Sequence, residues 1–412
     1  MRSSDAHYLI FTFPDYVFGI AAAVTSKTTT AHIKADLMNR VFPNKLRAKQ
    51  YPAYILGKAY WAEDRNFNID SHLITVKQSI STLDELGAFA GSVAIQPFPA
   101  NKPRWCMYVI EDFQGDSAVV LRFHHSYMDG VSMVNALVHN SDPACSRAFF
   151  TFGKANFTQR LLATPAALLK VPSGMIAGFN LAPDENPLMS SYYSGDKAMA
   201  IVPPLPLEPH LARAKALGVT FNDYITAAVL RAISAFIAQK YGVQHHLFKL
   251  GMPFTLRGHP SDGSPLPPAN DVAYLILPMP NTTSPTLEAD ISTAIKQITA
   301  SPALLRSSDL ITRLLALVPT RISRKFLRVM GDKVTVALSN IQGPKANLSY
   351  GGVEIKSLFA APVAAMPITA AVISYAGHFS LAFTTDTAVI QDSKELARLI
   401  HTELTKTPNR SL

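Results

Sequence analysis

The chain has 412 residues, of which 48% are hydrophobic and 16% are charged, and its formal net charge is +9 at pH 7. This balance excludes an intrinsically disordered protein, and the length is enough for two domains of ordinary size. The positive charge favours phospholipid or phosphate-bearing small molecules as partners, whereas nucleic acid is not expected, because no run of Lys and Arg is interleaved with aromatic residues.

The cysteines and the apolar segments bear on the compartment. Cys106 and Cys145 have no metal-ligand spacing, so we expect no disulfide framework, no metal site and a reducing environment. Residues 1–7 do not lead into a signal-type apolar stretch. The apolar segment 358–373 contains two prolines and is shorter than the roughly 20 residues of a membrane span. We therefore expect a cytoplasmic protein, soluble or attached peripherally to a membrane or lipid droplet.

The first part of the chain, up to about residue 150, mixes strands and helices. Hydrophobic periodicity predicts strands at 73–76, 105–110 and 117–123, and a helix at 83–90. From about 140 to 210 the chain becomes rich in Pro, Gly and Ser, which predicts a crossover or linker with a short helix at 160–170. The predicted domain limits are 1–150, a linker at 151–205, and 206–412.

The second half shows one pronounced helix at 221–241, with Gly242 as its stop. Strands are predicted at 248–254 and 272–277. Residues 304–329 favour one or two basic amphipathic helices broken near Pro319, and the pattern from 334 onward is mostly β, ending in a helix at 393–404. The whole pattern predicts an α/β (α+β) protein.

The most informative motif is the segment from His124 to Gly130, HHSYMDG. An apolar run leads into it and a helical pattern follows directly, so the histidine pair is expected where a buried strand ends. Imidazole has an unperturbed pKa of about 6.5, so one of the pair can accept a proton near neutral pH. A histidine pair is more often an ordinary core or surface pair; His245–His246, which has no acid or glycine partner, is an example.

The motif HHxxxDG resembles the signature of coenzyme A-dependent acyltransferases and of peptide-synthetase condensation domains. Further segments resemble one subfamily, the wax ester synthase/diacylglycerol acyltransferase family, in order and spacing. They are listed here in chain order: Ser4–Asp5–Ala6, Trp61 to His72, Pro103–Arg104–Trp105, Thr220 to Asp223, Ser339 to Pro344, and Ser374 to Gly377. The resemblance covers nearly the whole chain.

Three departures from the family pattern bear on substrate preference. Arg104 stands where the family has leucine, Pro97–Phe98–Pro99 where Pro-Leu-Asp is common, and Ile341–Gln342 where the family has Val-Pro. These changes leave the proposed base intact and put the shape of the acyl pocket in question.

The resemblance implies two chloramphenicol-acetyltransferase-like domains with a tunnel between them. It further implies His125 as the general base, acyl-CoA as a co-substrate and no cofactor. His124 is expected to pack or to form a hydrogen bond, and Asp129 to pair with an arginine, for which Arg257 is a candidate. Gly130 is expected to keep the tunnel floor open.

The candidate substrate-binding residues are Asn222, Asp223, Ser339, Asn340 and Trp105. Asn222 can cap its helix or donate into the site, and Asp223 at the same helix start is expected to be structural. Ser339 and Asn340 can line the tunnel or form a turn before Gly343.

The resemblance predicts an O-acyltransferase that joins a fatty acyl group from acyl-CoA to a long-chain alcohol or to diacylglycerol. Two alternatives remain open: an acyltransferase for a small hydroxylated or amino metabolite, and a non-catalytic acyl-CoA- or lipid-binding protein. The basic segment 306–333 is either a solvated helical face or a contact with an anionic lipid surface.

Overall fold

A computed structural model describes residues 9, 18–43, 46–55, 58–142, 157–189, 193–256, 267–315, 317–318, 320–364 and 366–406. Ser4–Asp5–Ala6, Cys145 and Arg257, which the sequence singles out, lie outside the described residues.

The elements in the first half of the chain include every strand that leads to the histidine motif. In chain order they are β1 (Phe18–Thr25), α1 (Thr30–Asp36), β2 (Gln50–Ile55), β3 (Lys58–Glu63), β4 (Leu73–Thr75), α2 (Leu83–Ala94), β5 (Trp105–Phe113), β6 (Asp116–His124), α3 (Gly130–Asn140) and α4 (Phe157–Asn180).

The second half begins with a strand. In chain order its elements are β7 (Lys197–Pro206), α5 (Leu207–Ala216), α6 (Phe221–Tyr241), β8 (Lys249–Thr255), β9 (Val272–Pro278), α7 (Leu287–Thr299), α8 (Pro302–Leu315), α9 (Thr320–Gly331), β10 (Val336–Ile341), β11 (Ser349–Tyr350), β12 (Val353–Val363), β13 (Ile368–Tyr375), β14 (His378–Asp386) and α10 (Ser393–Thr405).

The strands form two large mixed sheets within the described residues. The N-terminal sheet has the order β11-β12-β1-β6-β5-β4, and the C-terminal sheet has the order β7-β14-β13-β10-β8-β9. In the first sheet β4 and β5 run parallel while β1 pairs antiparallel with both β6 and β12. In the second, β10 runs parallel to both β13 and β8. The prediction of a mixed α/β architecture is confirmed.

Strand β12 crosses from one half of the chain to the other. It belongs to the C-terminal half by sequence but pairs with β1 from Phe18 opposite Val363 to Thr25 opposite Ile355. Strand β7, in the predicted linker, is likewise part of the C-terminal sheet. The domain limits at 150 and 205 stay a prediction, because strands from one side of each limit pair with strands from the other.

The C-terminal core is organised around α6, whose residues Ile225, Val229, Ile233 and Ile237 are at most 1% exposed. Thr220 caps the helix by accepting from the amide of Asp223, and Gly242 ends it with a φ of 67°. Among the described residues, α6 is the helix long and apolar enough to cross a membrane, but most of it is buried in the protein. It is therefore the core helix of this half.

One helix is longer than the sequence predicts. Helix α4 spans Phe157–Asn180, whereas the sequence predicts only a short helix at 160–170 within a Pro-, Gly- and Ser-rich stretch. Pro165 and Pro172 lie inside the observed helix and have no backbone N–H to donate. Packing compensates for the lost backbone hydrogen bonds, since Ala167 and Val171 are buried against neighbouring helices.

Candidate active site

The histidine motif lies at the end of a central strand. Strand β6 ends at His124, pairs with β1 and β5 on its two sides, and places Val120 and Phe123 in the core. The chain then makes a single 3-10 turn, His125–Tyr127, before α3 begins at Gly130. The predicted strand–loop–helix context of the pair is therefore what the structure has.

His124 is buried, with 1% of its surface exposed. Its Nδ1 atom lies 2.9 Å from Ser126 Oγ and accepts from the Ser126 amide at 3.2 Å. Burial lowers the pKa of His124 well below its ordinary value, and the nearby Arg104 guanidinium acts in the same direction. The neutral ring of His124 shapes the turn that presents the next residue.

His125 is held on two sides by one amide side chain, that of Asn270 just before β9. Asn270 Nδ2 donates to the backbone oxygen of His125 at 3.0 Å, and Asn270 Oδ1 lies 3.0 Å from His125 Nδ1. Because a carbonyl oxygen only accepts, the amide orientation is fixed and Nδ1 must carry the ring proton. The lone pair of the neutral imidazole is then on Nε2, which is the atom available as a base.

Desolvation lowers the pKa of His125, while the nearby Asp129 carboxylate and the Asn270 hydrogen bond act in the opposite direction. His125 as a whole residue is only partly buried. A lowered pKa means that the ring is neutral at pH 7 and able to accept a proton.

Asp129 holds the segment that carries Asn270. Its carboxylate accepts from the amides of Ser132 at 2.8 Å, which caps α3, and Asp271 at 3.0 Å. Its own amide donates to Ala269 O, and so does the Ser132 hydroxyl. The acid of the motif thus fastens residues 269–271 beside the histidine through backbone bonds, whereas the predicted arginine candidate, Arg257, is not described.

An arginine on α8 also holds the segment 269–271. Arg313 of α8 donates to the Asp271 carboxylate at 3.0 Å and to Asp309 at 2.9 Å. The chain of contacts therefore runs from α8 through Asp271 to Asn270 and His125.

Gly130 brings the histidine motif against strand β10. A Cβ atom at Gly130 would lie 2.7 Å from Ile341 Cδ1. Ile341 of the Ser339–Pro344 segment therefore lies where a side chain at position 130 would stand, and the role of Gly130 in keeping the tunnel floor open stays a prediction.

The candidate substrate-binding residues fall into two groups. Asn340 Nδ2 donates to Asn222 Oδ1 at 3.3 Å, so β10 and the start of α6 meet there, one residue from the Ile341 contact with Gly130. Ser339 is partly buried on the same strand. Asp223 is 2% exposed and its carboxylate accepts from the Thr220 amide at 2.9 Å, which makes it a helix cap.

Trp105 lies in the core of the N-terminal half. It is 8% exposed, its indole donates to Ala48 O at 2.8 Å, and the ring stacks on His72 with centroids 4.7 Å apart. The structure thus places Trp105 and Asp223 in supporting positions, and brings His125, Gly130, Asn222 and Asn340 towards one another.

Asn270 and Arg313 are the site residues that the sequence did not single out. Asn270 is 145 positions from His125 along the chain, and local periodicity carries no information on such a contact. The available signal was the polar pair Asn270–Asp271 between a Pro/Gly-rich loop and the apolar strand β9.

The described residues contain no cluster of three or more His, Cys, Asp or Glu side chains that could hold a metal ion.

The two sheets and the site between them define a class. The fold is that of paired chloramphenicol-acetyltransferase-like domains, shared with acetyltransferases and condensation domains. The wax ester synthase/diacylglycerol acyltransferase from Marinobacter aquaeolei VT8 superposes with a TM-score of 0.66, covering 97% of this chain and 96% of its own, at 14% identity. At that identity the likeness establishes the fold alone.

Sequence comparison narrows the class to a family. The model of the wax ester synthase/diacylglycerol acyltransferase catalytic domain matches residues 21–178, and the model of the C-terminal domain of the same family matches residues 269–407. A Mycobacterium tuberculosis protein provisionally named a diacylglycerol O-acyltransferase is 24% identical over 405 residues, covering 84% of this chain and 82% of its own length. The chain belongs to the wax ester synthase/diacylglycerol acyltransferase family.

Other relatives match over short segments. A second M. tuberculosis protein of the same provisional name is 37% identical over 87 residues, which is 20% of this chain and 17% of the relative. The chain therefore spans less than a fifth of that relative's length, whereas the match above covers 82% of its relative.

Proposed function

We propose that this protein transfers a fatty acyl group from acyl-CoA to the hydroxyl group of a long-chain alcohol or diacylglycerol, giving a wax ester or triacylglycerol. Family membership supports the class of reaction. The observation that carries the residue assignment is the pair of hydrogen bonds between Asn270 and His125, which places the ring proton on Nδ1 and the basic lone pair on Nε2.

In the proposed reaction, His125 Nε2 accepts the proton of the acceptor hydroxyl as its oxygen attacks the thioester carbonyl. The tetrahedral intermediate collapses with cleavage of the C–S bond, and the imidazolium returns its proton to the departing thiolate. Thiols have a pKa of about 8.5, so the thiolate leaves readily and no acyl-enzyme is required. Base assistance of this kind contributes about 10²–10⁴ in rate.

We infer that acyl-CoA is a co-substrate, that no resident cofactor takes part and that the reaction occurs in the cytoplasm or at the surface of a membrane or lipid droplet. The surplus of basic residues suits both the CoA phosphates and an anionic lipid surface.

The test is CoA release from palmitoyl-CoA, measured with hexadecanol, dioleoylglycerol and a small hydroxylated acceptor, with labelled products identified by thin-layer chromatography. We expect His125→Ala to reduce kcat by about 10²–10⁴, since the base is removed. The variant Leu247→Ala, at an exposed position outside the motif, is the control.

Two results would contradict the proposal. Equal CoA release by wild type and His125→Ala would favour a non-catalytic lipid-binding protein. Turnover with the small acceptor alone would favour the metabolite-acylating alternative.

A further inference from the structure

Helices α4, α8 and α9 pack on one another through small residues. A Cβ atom at Gly174 would lie 3.6 Å from Ile311 Cδ1, and one at Gly178 would lie 3.2 Å from Met330 Sδ. Lys333, just after α9, donates to Gly178 O at 2.9 Å. With Ala167 and Val171 buried as well, the inward face of α4 is defined by positions spaced three and four residues apart.

The outward face of α4 is apolar instead of polar. Leu168, Leu169 and Ile176 are 56%, 84% and 60% exposed. Leu169 and Ile176 are seven residues apart and so project on the same side, about half a turn from the buried Val171 and from Gly178, which faces Met330. A surface helix of a soluble protein ordinarily places polar residues on this side, so the exposed apolar side chains indicate a surface that binds a partner.

The turn between α8 and α9 presents further apolar side chains. Leu314, Leu317 and Ile322 are 44%, 75% and 60% exposed. Together with Leu168, Leu169 and Ile176 they form what we call the apolar docking surface. Leu317 lies in the turn, and the other five side chains belong to α4, α8 and α9, of which α4 contacts both of the others.

The charged side chains that the structure describes as exposed on α4, α8 and α9 have one sign. Lys170, Arg321, Lys325 and Arg328 are exposed, and all four come from the same helices. The acidic residue within α4, α8 and α9 is Asp309, which is buried and bonded to Arg313. Exposed leucines and isoleucines on helices that also expose basic residues are complementary to a surface that is apolar beneath and negatively charged on top.

We propose that α4, α8 and α9 dock the protein on the surface of an anionic phospholipid bilayer. The apolar docking surface enters the boundary between headgroups and acyl chains, and the four basic residues contact the phosphates. Docking is a property of these helices and does not depend on the acyl-transfer chemistry proposed above. It also gives Arg313 of α8 a place between the lipid contact and the segment that holds the base.

The test is flotation of the full chain with vesicles of phosphatidylcholine alone or with 30 mol% phosphatidylglycerol. We expect binding to the anionic vesicles and weaker binding in high salt, because exposed charges are screened. The triple variant Arg321→Glu/Lys325→Glu/Arg328→Glu should bind at least about 100-fold more weakly, since each basic residue near an anionic surface is worth about 1 kcal/mol. The matched control, Lys215→Glu/Lys240→Glu/Lys345→Glu, makes the same change in charge at exposed lysines on other elements.

The apolar contribution has its own variant. Leu169→Ser/Ile176→Ser/Leu317→Ser should lose anionic-vesicle binding without loss of thermal stability, whereas Leu211→Ser/Leu247→Ser, at exposed leucines elsewhere, should retain it.

Unchanged binding by both test variants, or no wild-type binding to anionic vesicles, would overturn the proposal. So would a dimer in solution that the serine variant dissociates while vesicle binding persists, because a second copy would then be the occupant. CoA release with water-dispersed short-chain substrates should be the same for all variants, which separates failure here from failure of the proposed reaction.

Discussion

At the scale of single residues, the proposed reaction depends on which nitrogen of the His125 imidazole carries the proton. Asn270 settles this through two bonds at 3.0 Å, one to the ring and one to the backbone of the same residue. Asp129 and Ser132 then fix the backbone around Asn270. Asp129 therefore holds the segment that positions Asn270 beside His125, the proposed base.

We expect Asn270→Ala to lower kcat by about 10- to 100-fold, because a base displaced by about 1 Å loses that much. A carboxylate at the same place stabilises the imidazolium, so Asn270→Asp should raise the pKa of His125. The ring would then stay protonated up to a higher pH. The acid-side fall of kcat/KM, which in the wild type is expected below about pH 6.5, should therefore shift to higher pH.

The measurement is the pH–rate profile of both variants beside the wild type, with Asn281→Ala, in an exposed loop, as a control. A reduced rate with an unmoved acid limb in Asn270→Asp would show that Asn270 supports the fold only. A residue that merely supports the fold lowers the amount of active protein and leaves the shape of the profile unchanged.

His125 and Asn270 show which site residues a sequence pattern can predict and which it cannot. The histidine pair could be located because its neighbours in sequence are also its neighbours in space: an apolar strand before it and a helix behind it. Asn270 reaches the same ring from the far side of a loop, and a contact between distant segments leaves no periodic trace in one sequence. Gly130 was recognised, but the side chain that fills its space, Ile341, could come only from the coordinates.

At the scale of elements, a buried ion pair joins β7, an edge strand of the C-terminal sheet, to its neighbour β14. Lys197 at the start of β7 and Asp386 at the end of β14 form an ion pair of 3.1 Å, with side chains 4% and 0% exposed. Burial would raise the pKa of the Asp386 carboxyl, but Lys197 and Ser194 together hold it below its ordinary value. The stability from this group is therefore present above the unfolded pKa and lost as the pH falls through the folded one.

We expect Lys197→Met to lower the free energy of unfolding by about 3–5 kcal/mol, because it leaves a buried carboxylate without its cation. Urea denaturation at pH 7 is the measurement. Lys356→Met, which breaks the exposed pair with Asp116, should cost less than about 1 kcal/mol. Similar losses in the free energy of unfolding of the two variants would contradict a larger contribution from the buried Lys197–Asp386 pair.

Helix α4 shows where propensity gives way to packing. Its prolines predict an early end, yet contacts with α8 and α9 sustain the helix over Phe157–Asn180. By contrast, α6 has a cap, a stop and a long apolar period, and the sequence defines its bounds correctly. Elements with strong local signals are predictable, and elements held by their neighbours are less so.

At the scale of the whole molecule, β12 joins the two halves by completing the sheet on which the histidine motif lies. The overall α/β class follows from composition and alternation of elements, but the choice of β1 as the partner of β12 does not, since strand pairing across more than 300 residues has no local signature.

We expect residues 1–205 produced alone to be insoluble or unfolded, because β1 would expose an unpaired apolar edge in the absence of β12. The full chain should unfold in one cooperative transition, with circular dichroism and tryptophan fluorescence changing together. A folded, monodisperse 1–205 fragment would contradict this interdependence.

The same strand has a consequence for biosynthesis. The ribosome makes β6 long before it makes β12, and at about 5–20 residues per second the intervening roughly 240 residues take about 12–48 s. Throughout that interval the edge of β1 that later pairs with β12 stays unpaired. Molecular chaperones that shield extended apolar segments are thus expected to matter for the yield of this protein during synthesis, long before any substrate is encountered.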